Sequence, residues 1–156
     1  MNAKFKKSFF AVAVPLLFIM FFITLKDKWK LDAPLACNAI QVTEHSEFIM
    51  KAHYFMSFNR GKGQIRINGI AYNNGHSGAI SRQIFFTYNH NGSYYNAFSQ
   101  QVEKMSNDKG SLVNADHHLP SFFSEEGKSL AFTLKYDDEN SIVIQFGGVP
   151  IFYCTK

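Results

Sequence analysis

The amino-acid sequence predicts an all-β domain, an antiparallel barrel or sandwich of about seven or eight strands, preceded by one N-terminal transmembrane helix. Apolar and polar residues alternate with period two in several segments, glycine-containing turns separate these segments, and a long uncharged run lies near the N-terminus. A chain of 156 residues has room for one domain and a short appendage. Strand patterns do not alternate with helical ones, which disfavours a parallel α/β fold.

The appendage is an uncharged apolar run from Ser8 to Leu25. As a helix it would span roughly 27 Å, just enough for the hydrocarbon core of a bilayer. A cleaved secretory signal is the alternative, but its apolar region is usually only about 7–15 residues and a small-residue cleavage site follows closely. Here lysines follow, and the first small-residue cluster begins at Ala33. The predicted segments are a cytoplasmic tail at 1–7, a transmembrane helix at 8–25, a juxtamembrane linker at 26–36 and an outer β domain at 37–156.

The two cysteines, Cys37 and Cys154, decide the predicted orientation, because lysines are equally numerous on both sides of the span. They bracket the whole outer domain and lack metal-ligand spacing, which favours a disulfide in an oxidising compartment over two unrelated buried thiols. We therefore expect the N-terminus in the cytoplasm and the β domain outside it.

The location of the charges argues against direct binding of nucleic acid. The whole chain carries a formal charge of +4, but residues 1–30 hold six lysines and one aspartate. Residues 31–156 hold ten Lys and Arg and eleven Asp and Glu, a net charge of −1. The basic excess therefore flanks the membrane and forms no phosphate-binding face.

The predicted strands begin with a long one at 48–58, whose even-numbered residues are all apolar. A turn is predicted at 60–63, and the next strand carries Ile65 and Ile67, with Gly69 as a bulge or strand end. Residues 72–78 are predicted to form a loop.

A hairpin is predicted around Asn91-Gly92 as a two-residue type I′ turn, which would place Tyr88 opposite Tyr95 and Phe86 opposite Ala97. Residues 99–126 give the weakest pattern, with turn sequences and one helical turn ending at Gly127.

A final hairpin pairs 130–136 with 142–146. Its loop must be odd-numbered, either 138–140 or 137–141, to keep both apolar faces on one side. Gly147-Gly148 then precedes the last strand, Val149 to Cys154. Among the antiparallel architectures, a lipocalin-like barrel is favoured.

The sequence contains no nucleophile-elbow, P-loop, dinucleotide-binding or zinc-protease motif, and we predict no enzymatic activity, cofactor or metal. Histidine titrates near pH 6.5, so histidines of the outer domain are candidates for pH sensing. The adjacent pair at 117 and 118 points apart in an extended chain, which disfavours a metal site. The candidate pH-sensing residues are His53, His90, His117 and His118.

Aromatic residues are abundant in the outer domain, and some are predicted to line an apolar pocket or a partner surface. Phe122 and Phe123 are expected to be exposed, because they lie in a loop-like sequence. The candidate pocket residues are Met50, Tyr54, Met56, Phe58, Phe86, Tyr88, Phe132 and Phe146.

The layout of a short basic tail, one span, Cys37 soon after it and a terminal Phe-Tyr-Cys154 segment resembles that of the FidL-like bacterial inner-membrane proteins. It is also similar to the functionally related ToxS, VtrC and PsaF/MyfF co-regulators. The matching positions are the two cysteines and the membrane segment. The resemblance implies a periplasmic accessory subunit that pairs with a ToxR-like membrane-spanning transcription factor and contributes most of a lipocalin-like barrel. In some members this subunit binds a host signal such as a bile salt.

The leading hypothesis is therefore a single-pass inner-membrane protein that stabilises such a regulator of virulence or fimbrial genes. It would sense pH or a small apolar ligand, such as a bile salt or fatty acid. The alternative is an envelope domain that binds lipid or another ligand and has no regulatory partner.

Overall fold

The structure is a computed structural model. It describes residues 34–138 and 140–156 together with the isolated Pro15. Apart from Pro15, the predicted tail, span and most of the linker lie outside these residues. Within the described part, no helix is long and apolar enough to cross a membrane. The strands are β1 (Leu35–His45), β2 (Phe48–Asn59), β3 (Lys62–Asn73), β4 (His76–Asn91), β5 (Tyr94–Lys104), β6 (Ser129–Tyr136), β7 (Ser141–Phe146) and β8 (Val149–Thr155).

The eight strands form a closed antiparallel barrel in which each strand pairs with the next and β8 returns to β1. This confirms the all-β prediction and selects the barrel over the sandwich, in agreement with a lipocalin-like architecture. Alternate side chains of each strand point inward because successive residues of a strand face opposite sides of the sheet. The even-numbered residues of β2, from Phe48 to Phe58, are accordingly all buried.

The β1–β8 seam is the shortest ladder of the barrel. The register between β1 and β2 runs from Leu35 opposite Phe58 to His45 opposite Phe48. Between β1 and β8 it comprises the single pair Asn38 and Thr155 among the described residues. Beside this pair Cys37 and Cys154 form the predicted disulfide, with their Cα atoms 5.5 Å apart. A covalent bond therefore closes the barrel where hydrogen bonding is least extensive.

Tight two-residue turns connect several strands and correct one prediction. Residues 72–78 are not a loop, because β3 continues to Asn73, which pairs with His76 at the start of β4. Asn74 and Gly75 have φ angles of +49° and +77°, as a type I′ turn requires at both central positions. The Asn-Gly pair is thus the turn itself, and strand residues reach it from both sides.

Gly69 is neither a bulge nor a strand end. It pairs in regular register with Ala52 on one side and Ile80 on the other. A Cβ atom at this position would overlap Ala52 and the carbonyl oxygen of Lys51. Close approach of β2 therefore explains this glycine. The register irregularities lie elsewhere, between Phe85 and Phe86 of β4 and between Ile144 and Gln145 of β7.

The predicted turn of the β4–β5 hairpin was placed one residue too early in the sequence, so the predicted register was wrong. Asn91 pairs with Tyr94, so the turn residues are Gly92 and Ser93, and Tyr88 lies opposite Ala97 instead of Tyr95. Gly92 has a φ of +58°, whereas Asn91 keeps a strand conformation. Glycine at the first central position is typical of a type II′ turn.

In the last hairpins, Tyr136 pairs with Ile142. This register confirms that the loop is odd-numbered, and the two alternatives, 138–140 and 137–141, share it. The Gly147-Gly148 turn then leads into β8, as predicted.

The connection between β5 and β6, residues 105–128, is the longest of the barrel, and we call it the plug segment. It contains two short 3-10 helices, Gly110–Val113 and Ser121–Phe123, and between them one helical turn, α1 (Ala115–His118). Residues 99–126 gave the weakest sequence pattern, and most of them form the end of β5 and this partly helical connection.

Candidate functional site

The candidate pocket residues lie together inside the barrel. Phe58 is central, with ring centroids 5.6 Å from Phe86, 5.7 Å from Tyr88 and 6.0 Å from Phe132. Six of the eight are buried, and Tyr88 and Phe146 are partly buried against the same core. The strand pattern therefore located the interior, while the binding of a ligand by these residues stays a prediction.

The plug segment fills this interior with Phe122 and Phe123. Phe122 contacts Phe86 edge-on at 5.7 Å, and Phe123 contacts Tyr54 at 6.4 Å. Both phenylalanines are buried, so their expected exposure was wrong. An eight-stranded barrel encloses just enough space for side chains to fill, and the strand side chains leave room for these two rings.

A small void lies beside Phe123 inside the barrel. Its volume is about 10 Å³, and its walls include Met56, Phe58 and Ile144. This is at or below the volume needed to hold one water molecule. A ligand at this place would have to displace the plug aromatics.

An arginine that the sequence analysis did not single out lies among the inward-facing residues of β4. Arg82 occupies the inward series between Ile80 and Ile84, and its side chain is 0% exposed. Its Nε donates to Asp108 Oδ2 at 3.0 Å and its Nη1 to Asp116 Oδ1 at 2.6 Å. Both carboxylates belong to the plug segment, so ion pairs fasten this segment to β4. The sequence signal that could have revealed this site is a cationic residue at an inward position between the apolar residues Ile80 and Ile84.

Asp108 is the buried anchor of this network. Its side chain is 4% exposed, and Oδ2 also accepts a hydrogen bond from the backbone N–H of Ser81 at 2.9 Å. Its other oxygen, Oδ1, accepts from the N–H of Gly110 at 2.9 Å. Gly110 packs against the Arg82 guanidinium so closely that a Cβ atom there would overlap Nη2. The carboxylate therefore orders both the arginine and the start of the first 3-10 helix, Gly110–Val113.

The charge of Arg82 also reaches Tyr54 inside the barrel. Burial raises the pKa of the Tyr54 phenol, and the nearby guanidinium only partly opposes this shift. The phenol is therefore neutral at physiological pH. Among the buried residues that the structure describes, Arg82 is the one cation, and its direct counter-ions come from the plug segment.

Asp116 is the solvent-facing member of the network, with 42% of its side chain exposed. Partial burial raises the pKa of its carboxyl, but hydrogen bonds from Lys104 and Arg82, together with their charges, outweigh burial and lower it below 3.8. The Lys104 Nζ lies 2.7 Å from Asp116 Oδ2. The carboxylate is thus shared between a buried and an exposed cation.

We expect this shared carboxylate to make stability acid-sensitive. Its pKa is lower in the folded than in the unfolded state, so its contribution is fully present above pH 3.8 and is lost as the pH falls through the folded value. Urea unfolding of the wild type and Asp116→Asn should therefore give a stability difference at neutral pH that shrinks below about pH 4. A difference independent of pH would contradict this assignment.

The candidate pH-sensing histidines do not form one cluster. His53 is exposed on the outer face of β2, and His90 stacks on Tyr95 near the β4–β5 turn. His117 is exposed on α1, whereas His118 stacks on Phe48 with ring centroids 4.2 Å apart. No cluster of three or more metal-ligating side chains occurs among residues 34–138 and 140–156. Their role in pH sensing stays a prediction.

An outer apolar patch covers the first three strands. It comprises five outward-facing side chains that are between 42% and 59% exposed. Ile49 lies directly opposite Tyr72, and Lys51 separates Val42 from Ile70 in one cross-strand row. The members of the patch are Ile40, Val42, Ile49, Ile70 and Tyr72.

Residues 34–154 match the family model described as the YqeJ C-terminal domain. The chain belongs to this family. The match begins one residue before β1 and ends at Cys154. The matched region of this chain therefore contains both cysteines and all eight strands, apart from the final residue of β8. No curated protein matches the chain.

The family shown for this chain is therefore the YqeJ family, whereas the resemblance to FidL-like proteins was an expectation from the sequence layout. The comparisons do not support membership of the FidL-like family specifically. The disulfide and the β-barrel agree with the predicted layout of the outer domain. The regulatory role stays a prediction.

Proposed function

We propose that this protein is a non-enzymatic, membrane-anchored accessory protein of the bacterial inner membrane. Its periplasmic barrel pairs with and stabilises a ToxR-like transmembrane regulator and so affects virulence or fimbrial genes. The observation that carries the proposal is the outer apolar patch on β1, β2 and β3. The layout of the chain, with a predicted span before the barrel, supports the choice of a membrane-spanning partner.

The patch supports a protein partner because the interior of the barrel is already filled. A barrel with a packed core normally carries polar residues on its water-facing surface, and contiguous exposed apolar patches mark interaction sites. Here adjacent strands present large aliphatic side chains outward, around Lys51 and His53. A partner would cover aliphatic surface and find these two basic groups between the apolar anchors.

Site-specific photocrosslinking tests the proposal on the full-length chain in bacterial membranes. A photoreactive residue at position 42 should crosslink to the proposed ToxR-like regulator, whereas the same residue at position 149 should not. Val149 is the matched control for Val42, because both are valines that are 59% exposed and only Val42 lies in the patch.

The charge variant Val42→Glu should lower the steady-state level of the regulator, and Val149→Glu should leave it unchanged. A carboxylate in a buried apolar contact is strongly unfavourable, which is the reason for the difference. Equal crosslinking from both positions, or a regulator level indifferent to Val42→Glu, would refute the proposed pairing.

The alternative, an envelope domain that binds a lipid or an apolar ligand without a regulatory partner, is favoured by one observation. Phe122 and Phe123, which occupy the interior, belong to a connecting segment and not to a strand. Tight binding of a fatty acid or bile salt by a chain whose absence leaves the regulator unaffected would favour this alternative.

A further inference from the structure

A cleft of about 690 Å³ lies against the outer face of the barrel, at β4 to β7. Cross-strand pairs connect its walls in one row, from Asn91 through Tyr94 and Thr133 to Gln145. The stagger of the strands brings the Gly147-Gly148 turn beside this row, where it forms part of the rim. The volume lies within the range of small-molecule binding sites.

The lining of the cleft is unusual in its side-chain chemistry. Among the described residues, four primary amides line it, together with the hydroxyls of Ser93 and Thr133, and no carboxylate does. Tyr94 is the most exposed large apolar residue of the described chain, at 70%. The Thr133 hydroxyl donates to Gln145 Oε1 at 3.2 Å, which leaves the amide nitrogen for another acceptor. The amides belong to Asn89, Asn91, Asn96 and Gln145.

We propose that this cleft binds a neutral oligosaccharide. An amide offers both donors and an acceptor, which suits hydroxyl groups that act in both ways. The exposed ring of Tyr94 offers an apolar face for the C–H surface of a sugar ring, with its hydroxyl available at the edge.

Other ligand classes fit the cleft less well. A purely apolar ligand would take several amides out of water without hydrogen bonds, which is costly for each group. A phosphate would meet two basic side chains, Lys135 and His90, and no arginine in the part of the lining that the structure describes. An added peptide strand has no free edge here, because β5 and β6 pair with each other from Tyr94 to Phe98.

This inference goes beyond the proposed regulatory pairing and does not depend on it. The cleft lies on β4 to β7, whereas the outer apolar patch lies on β1 to β3. A bound oligosaccharide and a bound regulator could therefore occupy the barrel together.

Ligand-observed NMR on the full-length chain in lipid nanodiscs tests the inference. The probes are maltotetraose, cellotetraose, laminaritetraose and chitotetraose, with laurate and inorganic phosphate as the competing chemistries. At least one saccharide should bind, and Tyr94→Ala should weaken its binding about tenfold through loss of the stacked ring. The control Tyr153→Ala removes an exposed tyrosine outside both the cleft and the outer apolar patch, and it should leave saccharide affinity unchanged.

The two tyrosine variants should keep the far-UV circular dichroism of the wild type, because both side chains are exposed. Asn96→Ala, which removes one amide from the cleft, should also weaken saccharide binding. Absence of saccharide binding up to ~10 mM, equal binding by Tyr94→Ala, or binding of laurate or phosphate alone would overturn the proposal.

Discussion

Replacing Cys37 with serine should lower the free energy of unfolding by up to about 4–5 kcal/mol in the chain-entropy model. The disulfide joins residues 117 positions apart, so it removes a large part of the conformational freedom of the unfolded chain. It also lies beside the one residue pair that closes β8 on β1. Pulse proteolysis of the full-length protein in detergent micelles across a urea series measures this loss.

The matched control is the double variant Cys37→Ser/Cys154→Ser, which should be about as unstable as the single variant and as the reduced wild type. Agreement among the three would assign the loss to the covalent bond and not to an unpaired thiol. A reduced wild type as stable as the oxidised protein would show that the seam holds without its disulfide.

Local patterns in the sequence predicted the strands and the inward faces well. The period of two in β2 depends only on the pleat of an extended chain, so the burial of Phe48, Met50 and their even-numbered successors follows directly. The disulfide was predictable for a similar reason, since two cysteines bracketing one domain leave few alternatives. These features require no knowledge of which strands are neighbours.

Turn geometry was less predictable, because small differences in backbone conformation decide the register. An Asn-Gly pair forms the turn itself at Asn74-Gly75, yet at Asn91-Gly92 the turn is shifted by one residue. The same dipeptide thus occurs in two different turns, and the surrounding strands decide between them. Gly69 was misassigned for a related reason, because close approach of β2 leaves no signal in the neighbouring sequence.

The plug segment was beyond local inference altogether. The partners of Arg82 lie 26 and 34 residues along the chain, and Phe122 and Phe123 are flanked by residues typical of exposed loops. Their burial depends on the width of the closed barrel, which appears only after eight strands have paired. The cleft has the same origin, because the stagger of distant strands assembles it.

Replacing Asp108 with alanine should destabilise the protein by about 3–5 kcal/mol, because it leaves the buried Arg82 without its buried counter-ion. The same change removes the acceptors for the N–H groups of Ser81 and Gly110. Urea unfolding followed by near-UV circular dichroism of the tyrosines measures the effect. Asp116→Ala is the matched control, and it should cost about 1 kcal/mol or less because Asp116 is 42% exposed.

Two further variants separate the charge of Asp108 from its hydrogen bonds. Asp108→Asn keeps an oxygen acceptor but removes the negative charge, so a loss close to that of Asp108→Ala would assign the effect to the uncompensated arginine. Arg82→Met removes the buried cation and fills much of its volume, and replacing a buried charge in this way is often tolerated. In the Arg82→Met background, Asp108→Asn should therefore cost much less than in the wild type. If Asp108→Asn costs the same in both backgrounds, the carboxylate does not act through Arg82, and the ion pair is not what fastens the plug segment to β4.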